Sequence, residues 1–389
     1  MRPRRGGHRR GVESHRMART QDALYADLDL ELSWSERELP ERERTKHVHR
    51  LHPYVGKFIP QLVEVVLDRY FRPGQRVLDP FAGSGTTAVQ ALESGLDATA
   101  VEVAAFNCLL ISVKTAAYEP FTLERELRDA CARLDRFVGE GGETDSDYLR
   151  RWYAPTALAE LLFWRRLVAE YEHADVLRVV LSRAARSARR APHYDLEAPR
   201  APQVDDYWCH KHRRVCRPVT TARRFLRRYA NDTLVRIRQF GHVRARGRAA
   251  TVVHADARAV AYDRRYDGII TSPPYPGLID YHEQHRYAYE LLGLEDRRAA
   301  ELGAAAAGTT RLALRAYADA MVASLTNAAA ALRRGAPVLI VVNDRRDLYP
   351  EILEGAGLRV EERLRRHVNR RTGRRAGEFF EDVLVARVV

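Results

Sequence analysis

A short motif near residue 270 combines groups that can hold a flat ligand carrying an amine. The apolar segment 266–270 leads into Thr271-Ser272-Pro273-Pro274-Tyr275. An apolar run closed by two prolines predicts a buried strand that ends at a rigid turn. Because proline lacks an N–H and fixes φ, the carbonyls of this turn stay outside any helix and can accept hydrogen bonds beside a hydroxyl and an aromatic ring. An ordinary strand-to-loop turn is the alternative for the motif taken alone.

A second motif lies far upstream and predicts a nucleoside site. Residues 76–79 predict a strand, 80–85 a glycine-rich turn and 86–92 the start of a helix. Glycines let the backbone approach a ligand closely, and a helix start offers unpaired N–H groups. No lysine follows as in triphosphate-binding loops. Glu102 ends a second apolar run, at the position where doubly wound sheets bind a ribose. The two features together indicate a nucleoside without a phosphate chain.

The two motifs resemble those of the S-adenosylmethionine-dependent amino-methyltransferases of DNA. Asp79-Pro80-Phe81-Ala82-Gly83-Ser84-Gly85-Thr86-Thr87 and Ser272-Pro273-Pro274-Tyr275 carry the resemblance, and SPPY is typical of the enzymes that methylate cytosine N4. Segments 52–60, 279–281 with 285–286, 369–373 and 380–382 also look like the family. The similarity covers residues 46–119 and 250–389, in the order of the family's α arrangement.

The resemblance implies a cofactor, a substrate and a set of site residues. S-adenosylmethionine is the expected cofactor and double-stranded DNA the expected substrate. Ser272 and the Pro273 carbonyl would accept the two N–H groups of a flipped base, which frees the amine lone pair for attack on the sulfonium methyl, and Tyr275 would stack on the base. The predicted catalytic residues are Ser272, Pro273, Pro274 and Tyr275. The predicted cofactor-binding residues are Phe58, Asp79, Phe81, Ala82, Gly83, Ser84, Gly85, Thr86, Glu102 and Asp256.

The resemblance assigns each group of predicted cofactor-binding residues to one part of the cofactor. Asp79 and the 81–85 backbone would hold the methionine part, Glu102 the ribose hydroxyls and Asp256 the adenine, while Phe58 packs against the cofactor. The glycine turn and the SPPY motif must then face one shared cavity.

Other functions stay open. Adenine-N6 methylation uses the same geometry on another base, and an RNA guanine-N2 methyltransferase can also carry the upstream motif. A DNA-binding module that has lost catalysis is a further alternative, against which the intact motifs argue. Carbon-5 methylation needs a cysteine after a proline, and none of Cys108, Cys131, Cys209 and Cys216 follows one.

Basic residues concentrate in one part of the chain. Residues 183–250 contain 18 Lys and Arg against 5 Asp and Glu, a net charge of +13 that equals the net charge of the whole chain. Phosphate neutralisation supplies most non-specific DNA affinity, so we take 120–249 as a target-recognition insert. A solvated helix surface is the alternative for its aromatic-interleaved stretch 223–229. The predicted DNA-binding residues are Arg223, Arg224, Arg227, Arg228, His285 and Arg286.

The insert also contains Cys209-His210-Lys211-His212-Arg213-Arg214-Val215-Cys216. Two cysteines and two histidines raise the question of zinc, but the spacing is not a usual CxxC pairing and the nearby cations would repel a dication. The sequence therefore predicts no metal site and favours a locally packed loop.

The composition and the alternation of predicted strands and helices together predict the architecture. The chain of 389 residues is 46% hydrophobic and 30% charged, with no apolar run of membrane-spanning length. Strands alternating with helices on both sides of the insert predict an α/β doubly wound, mostly parallel seven-stranded sheet with a mainly helical insert. The expected divisions are a basic disordered tail (1–45), a cofactor-binding half (46–119), the insert (120–249) and a catalytic half (250–389).

Scattered cysteines indicate a reducing compartment and a cytoplasmic protein. The true start is open because Met17 can also begin the chain. A paired restriction endonuclease and the oligomeric state are open as well.

Overall fold

A seven-stranded sheet forms the centre of the computed structural model, which describes residues 33–34, 45–54, 58–139, 143–196, 199–263, 265–368 and 379–389. Its strands are β1 (Arg76–Asp79), β2 (Asp97–Glu102), β5 (Ala250–His254), β6 (Gly268–Thr271), β7 (Pro337–Val342), β8 (Leu358–Val368) and β9 (Phe379–Val388), and a separate hairpin pairs β3 (Tyr207–Cys209) with β4 (Arg214–Cys216). The strand order in the sheet is β5-β2-β1-β6-β7-β9-β8.

The helices are α1 (Pro60–Tyr70), α2 (Thr86–Glu93), α3 (Ala105–Thr115), α4 (Pro120–Arg136), α5 (Asp147–Trp152), α6 (Pro155–Leu167), α7 (Ala174–Ala188), α8 (Arg223–Val243), α9 (Tyr281–Gln284), α10 (Arg286–Leu292), α11 (Arg311–Ala330) and α12 (Tyr349–Gly355). No helix within the described ranges is both long and apolar enough to span a membrane.

The sheet is parallel except at one edge. Strands β5, β2, β1, β6 and β7 run parallel, and β9 pairs antiparallel with both β7 and β8. The carboxyl ends of β1, β2 and β6 therefore lie along the same edge, where doubly wound sheets bind ligands. This arrangement confirms the predicted fold class.

Alternating side chains cover both faces of the sheet. Val77, Leu339 and Val341 pack on one side with α1 and α2, while Leu78 and Ile340 pack on the other with α11 and α12. Successive residues of a strand point to opposite faces, so strands apolar at every position need helices on both sides.

The insert is mainly helical and shares a core with the cofactor-binding half. Phe106 and Leu110 of α3 belong to one buried cluster with Leu177 and Val180 of α7 and Leu226 of α8. The insert thus continues the helical layer over one face of the sheet. The domain boundaries stay a prediction.

One expectation needs correction in detail. The amphipathic pattern of residues 281–292 predicts a single helix, but the helix breaks at His285, whose backbone (φ −108°, ψ 17°) leaves the helical region while its Nδ1 lies 3.1 Å from the Tyr281 carbonyl. The alanine-rich segment 299–332 predicts one or two helices, and it forms one, α11, preceded by two short 3-10 turns. The predicted tail (apart from 33–34 and 45) and segment 369–373 lie outside the described residues.

Candidate active site

A cavity of about 730 Å³ opens at the carboxyl ends of β1, β2 and β6. Both motifs contribute to its wall. The predicted site residues that line it are Phe58, Phe81, Ala82, Gly83, Ser84, Thr86, Glu102, Asp256, Ser272 and Pro274.

The glycine turn brings backbone to the cavity wall. Gly83 has φ +51° and Gly85, the N-cap of α2, has φ +81°, conformations that favour glycine. A Cβ on Gly83 would lie 3.0 Å from the Tyr54 hydroxyl, and one on Gly85 would lie 2.9 Å from Ile111 Cγ1. Larger residues would therefore disturb the turn at both positions.

Glu102 ties the end of β2 to this turn. Its Oε2 accepts the Gly83 N–H at 2.7 Å and its Oε1 accepts the Ala104 N–H at 2.9 Å. Burial raises the pKa of Glu102 to about 7, against the effect of these hydrogen bonds. Each carboxylate oxygen has two lone pairs, so Glu102 can still accept from a ligand in the cavity.

Asp79 is buried behind the turn and does not line the cavity. Its Oδ1 accepts from the Thr271 hydroxyl at 2.6 Å and from the Phe81 N–H at 3.1 Å. Burial raises its pKa to about 6. Among the described residues, Asp79 Oδ2 and Ser84 Oγ are buried without a hydrogen-bond partner. Unsatisfied polar atoms beside a glycine cradle fit a nucleoside cofactor with an amino acid part such as S-adenosylmethionine.

Two hydrogen bonds fix the orientation of the SPPY motif where it follows β6. The Ser272 hydroxyl donates to the Val341 carbonyl at 2.9 Å, and the Tyr317 hydroxyl donates to the Pro274 carbonyl at 2.9 Å. A serine hydroxyl has one proton and two lone pairs. Ser272 has used its proton on the protein, so towards the cavity it acts as an acceptor.

Tyr275 lies elsewhere than expected. It does not line the cavity, and its hydroxyl donates to Glu381 Oε1 at 3.4 Å. The partly buried ring packs against the apolar cluster that contains Tyr349 and Ile352. A buried tyrosine hydroxyl generally takes a polar partner, and Glu381 provides one here. Pro273 is buried and, like Gly85, is absent from the cavity wall.

Several wall residues were not identified from the sequence. The Tyr54 ring stacks on Tyr281 with centroids 5.4 Å apart and planes inclined by 12°, and both rings line the cavity with Glu301. The Lys114 ammonium, buried beneath the turn, donates to the Ser84 carbonyl at 2.5 Å. A single lysine at the end of the apolar helix α3 could have been recognised from the sequence as a candidate site residue. Glu301 could not, because the alanine-rich segment around it shows no comparable pattern.

The predicted DNA-binding arginines divide into two groups. Arg223 is bound by the protein itself, through Glu160 at 3.2 Å and the Asp135 and Phe137 carbonyls. This corrects its predicted DNA contact, because the guanidinium is used to anchor the start of α8. Arg224 and Arg228 are exposed and lie over the rings of Phe225 and Tyr229. Arg227 is 58% exposed and pairs loosely with Asp135 at 3.3 Å.

His285 also requires correction. It is only 1% exposed, and burial lowers its pKa to about 3. Its ring packs against Phe106 with centroids 4.8 Å apart. A neutral, buried imidazole cannot reach a phosphate, so His285 positions the chain after the SPPY motif and the DNA contact predicted for it is withdrawn.

A groove of about 1530 Å³ adjoins the cavity between the insert and the catalytic half. Arg151 and Arg200 of the insert and Arg286 of α10 lie on its walls, together with Asp280. Tyr281, the next residue, lines the cavity. The groove wall is of mixed charge, because Arg189 adds a fourth arginine while Asp147 and Glu283 add two further carboxylates.

Comparison with known proteins agrees with this geometry. A family model described as DNA methylase matches residues 13–112. Type II methyltransferase M.MjaII of Methanocaldococcus jannaschii is 34% identical over 430 aligned positions, which cover 89% of this chain and 81% of that protein. Type II methyltransferase M.MvaI of Kocuria varians is 23% identical, over 58% of this chain and 53% of that protein.

Solved structures are more distant. The crystal structure of TrmN from Thermus thermophilus is 13% identical with a TM-score of 0.38, over 90% of this chain and 55% of that one. The rRNA methyltransferase aviRa from Streptomyces viridochromogenes is 15% identical with a TM-score of 0.32, over 86% and 88% of the two chains. Similarity at this level says nothing about the substrate. The extended identity to M.MjaII and the matching motifs show that the chain belongs to the Type II DNA methyltransferase family, with S-adenosylmethionine as its cofactor.

Proposed function

We propose that this protein methylates the N4 amine of a cytosine flipped out of duplex DNA. The observation that carries the proposal is the hydrogen bond from Ser272 to the Val341 carbonyl, which leaves a neutral acceptor facing the cavity. A cytosine amine offers two N–H donors, and its lone pair is delocalised into the ring. Ser272 lines the cavity and would accept one of these hydrogens, which makes the lone pair more available. The Pro273 carbonyl, expected to accept the second hydrogen, belongs to a buried residue outside the cavity wall, so the proposal depends chiefly on Ser272.

The residues around the glycine turn have a binding role in this proposal. The bound cofactor supplies an electrophilic methyl group on a sulfonium. Gly83 and Ser84 would hold its amino acid part, the ionised Glu102 would accept its ribose hydroxyls, and Asp256, which also lines the cavity, would bind the adenine. Good orientation of two reactants is worth up to ~7–11 kcal/mol of barrier, so positioning by these groups supplies much of the rate.

Access to the base requires flipping, because an amine inside the duplex cannot reach a buried wall. The groove with Arg151, Arg200 and Arg286 provides cations for the phosphates beside the cavity. We include Arg224, Arg227 and Arg228 of α8 in the proposed DNA face because their guanidinium groups are exposed or weakly paired. The proposed site of action is the cytoplasm, and a paired restriction endonuclease is a further expectation from the family.

Adenine-N6 methylation is the competing function, because the family contains both activities under one description. Incubation of duplex DNA with the purified protein and isotope-labelled S-adenosylmethionine, followed by nucleoside digestion and mass spectrometry, separates them. We expect labelled N4-methylcytosine in the wild type and about 100-fold less of it with Ser272→Ala. Labelled N6-methyladenine alone would refute the cytosine assignment.

A further inference from the structure

The hairpin of the insert places two cysteines on one face. In the antiparallel pair β3–β4, Tyr207 lies opposite Cys216 and Cys209 lies opposite Arg214. Both cysteines are buried, whereas Trp208 and Val215 on the other face are 54% and 60% exposed. Because side chains alternate along a strand, the two thiols point to the same side. Both are free thiols.

His212, in the turn of the hairpin, lies between the thiols. Its Nδ1 is 3.5 Å from Cys209 Sγ and 3.4 Å from Cys216 Sγ. One ring nitrogen makes one in-plane hydrogen bond, so hydrogen bonding cannot satisfy both thiols at this atom. Tetrahedral zinc, with Zn–S of about 2.3 Å and Zn–N of about 2.0 Å, holds sulfur and nitrogen about 3.5 Å apart. The two distances match that geometry.

His193 completes the group from the loop after α7. Its ring centroid lies 4.8 Å from that of His212, with the planes at 61°. The backbone N–H of His193 donates to the Tyr207 hydroxyl at 3.0 Å, and this hydrogen bond fixes the loop on the hairpin. Within the described ranges its Nδ1 is buried and has no hydrogen-bond partner. One ligand atom from each of the four residues lies within 4.8 Å of all the others.

We propose that His193, Cys209, His212 and Cys216 bind one structural zinc ion. Four protein ligands close the tetrahedron and leave no open position for chemistry. None of the four lines the cavity of the candidate active site. Binding converts each thiol to a thiolate, so one zinc ion releases two protons.

The cationic side chains near this cluster, which were expected to repel a dication, do not prevent zinc binding. Two thiolates cancel the two positive charges of zinc, so the bound centre is neutral. The side chains of Lys211, Arg213 and Arg214 are exposed to solvent, which screens their charges from the bound centre. Cys209 and His212 are separated by two residues, the number that separates two cysteine ligands in many zinc fingers.

The fold supplies a reason for a metal here. Strands of three residues, Tyr207–Cys209 and Arg214–Cys216, form too small a sheet to be stable alone. A zinc ion would cross-link this hairpin to the loop that carries His193. It would hold the exposed cations of the turn in one orientation.

A second group of possible metal ligands is not proposed as a metal site; its members are His47, His49 and Glu93. The Lys46 ammonium bonds to Glu93 at 2.7 Å, and His49 Nε2 pairs with Gln90 at 2.9 Å. An ammonium beside the carboxylate already supplies the positive charge there.

The test is the metal content of the untagged full-length chain, expressed with zinc in the medium and measured by inductively coupled plasma mass spectrometry. We expect about one zinc per chain, lost in Cys209→Ser and Cys216→Ser and retained in Cys131→Ser, a partly buried thiol of α4. Cobalt substitution should give the absorption bands of a tetrahedral S₂N₂ site. A chain without stoichiometric zinc and without those bands, or variants at 209 and 216 that keep the metal, would overturn the proposal.

Thiol alkylation of the wild type decides the matter if those variants fail to fold. Zinc should protect Cys209 and Cys216 from iodoacetamide until a chelator is added, with Cys131 unaffected by the chelator. Equal labelling with and without chelator, or a Cys209–Cys216 disulfide in the purified protein, would contradict a zinc site.

Discussion

The hydroxyl of Ser272 donates its proton to the carbonyl of Val341, 2.9 Å away on the neighbouring strand β7. The sheet therefore orients the side chain that begins the SPPY motif. A residue at this position that kept the shape but lost the oxygen would leave the base amine without an acceptor.

Ser272→Ala tests this role. We expect methyl transfer to fall about 100-fold, the size of effect seen for loss of one preorganised hydrogen bond at a reacting group, with cofactor affinity unchanged. Single-turnover rates and calorimetric titration of S-adenosylhomocysteine measure the two quantities. Ser324→Ala is the matched control, because that buried hydroxyl also donates to a carbonyl, Ala320 at 2.8 Å, but lies on α11 away from the cavity. Equal activity of the two variants would remove Ser272 from the reaction.

Tyr275 can be tested by separating its ring from its hydroxyl. Tyr275→Phe loses the hydrogen bond to Glu381 and should cost about 1 kcal/mol of unfolding free energy. It should retain methyl transfer within a few-fold, because the ring is kept. Tyr275→Ala also removes the ring that packs against the apolar cluster behind the SPPY motif, so it should lower methyl transfer through displacement of the motif while sparing DNA binding. Full turnover in Tyr275→Ala, measured beside a DNA binding curve, would show that the ring is not needed to hold the SPPY motif in place.

Glu102 predicts a pH dependence of cofactor binding. Its pKa of about 7 means that the carboxylate becomes ionised as pH rises through neutrality. The ionised form accepts ribose hydroxyls better, so affinity should rise with pH and level off above about 8. At pH 6 about a tenth of the Glu102 carboxyl groups are ionised, so the affinity for the cofactor should be about tenfold lower than at about pH 8.

Titration of S-adenosylhomocysteine between pH 6 and 8 measures this dependence. Glu102→Gln should bind weakly at every pH, because its amide places a donor against the Gly83 or the Ala104 N–H. Glu351→Gln, an exposed carboxylate of α12, should behave as the wild type. A flat profile in the wild type would mean that Glu102 does not control binding.

Gly83→Ala separates backbone strain from contact with the cavity wall. A Cβ at φ +51° costs about 1–2 kcal/mol, and it would also lie 3.0 Å from the Tyr54 hydroxyl. Gly74→Ala is the matched control, since φ is +90° there but no atom lies within 4 Å of the added Cβ. Both variants should lose stability in a thermal melt, and only Gly83→Ala should weaken cofactor binding. Equal affinities in the two variants would argue against a cofactor at the turn.

The arginines of α8 should respond differently to removal. Arg224→Ala and Arg228→Ala should each weaken DNA binding and reduce the slope of log K against log salt by about 1. Arg223→Ala should instead lower the melting temperature, because it releases Glu160 and two carbonyls at the start of α8. Binding isotherms at several salt concentrations and thermal melts distinguish these effects. An unchanged salt slope in Arg228→Ala would remove that residue from the DNA face.

The sequence by itself determined the sheet and the position of its binding edge. Apolar runs ending in Asp79, Glu102 and Thr271 predicted strands whose carboxyl ends meet, and the structure places all three along one edge. Local signals suffice for this, because glycine at positive φ and paired prolines act on their own neighbours. The apolar segment 383–388 predicts a last, antiparallel strand, and in the structure it lies within β9.

Tertiary structure alone decided which side chains face the cavity and which are used elsewhere. Tyr275 turns to Glu381, more than a hundred residues away, and Arg223 turns to Glu160. His193 joins Cys209 through a loop whose path the sequence does not encode in any short pattern. Buried polar groups must be satisfied by whatever the fold brings near, and that neighbourhood depends on packing between distant segments. Motif spacing therefore located the site, and long-range packing assigned its side chains.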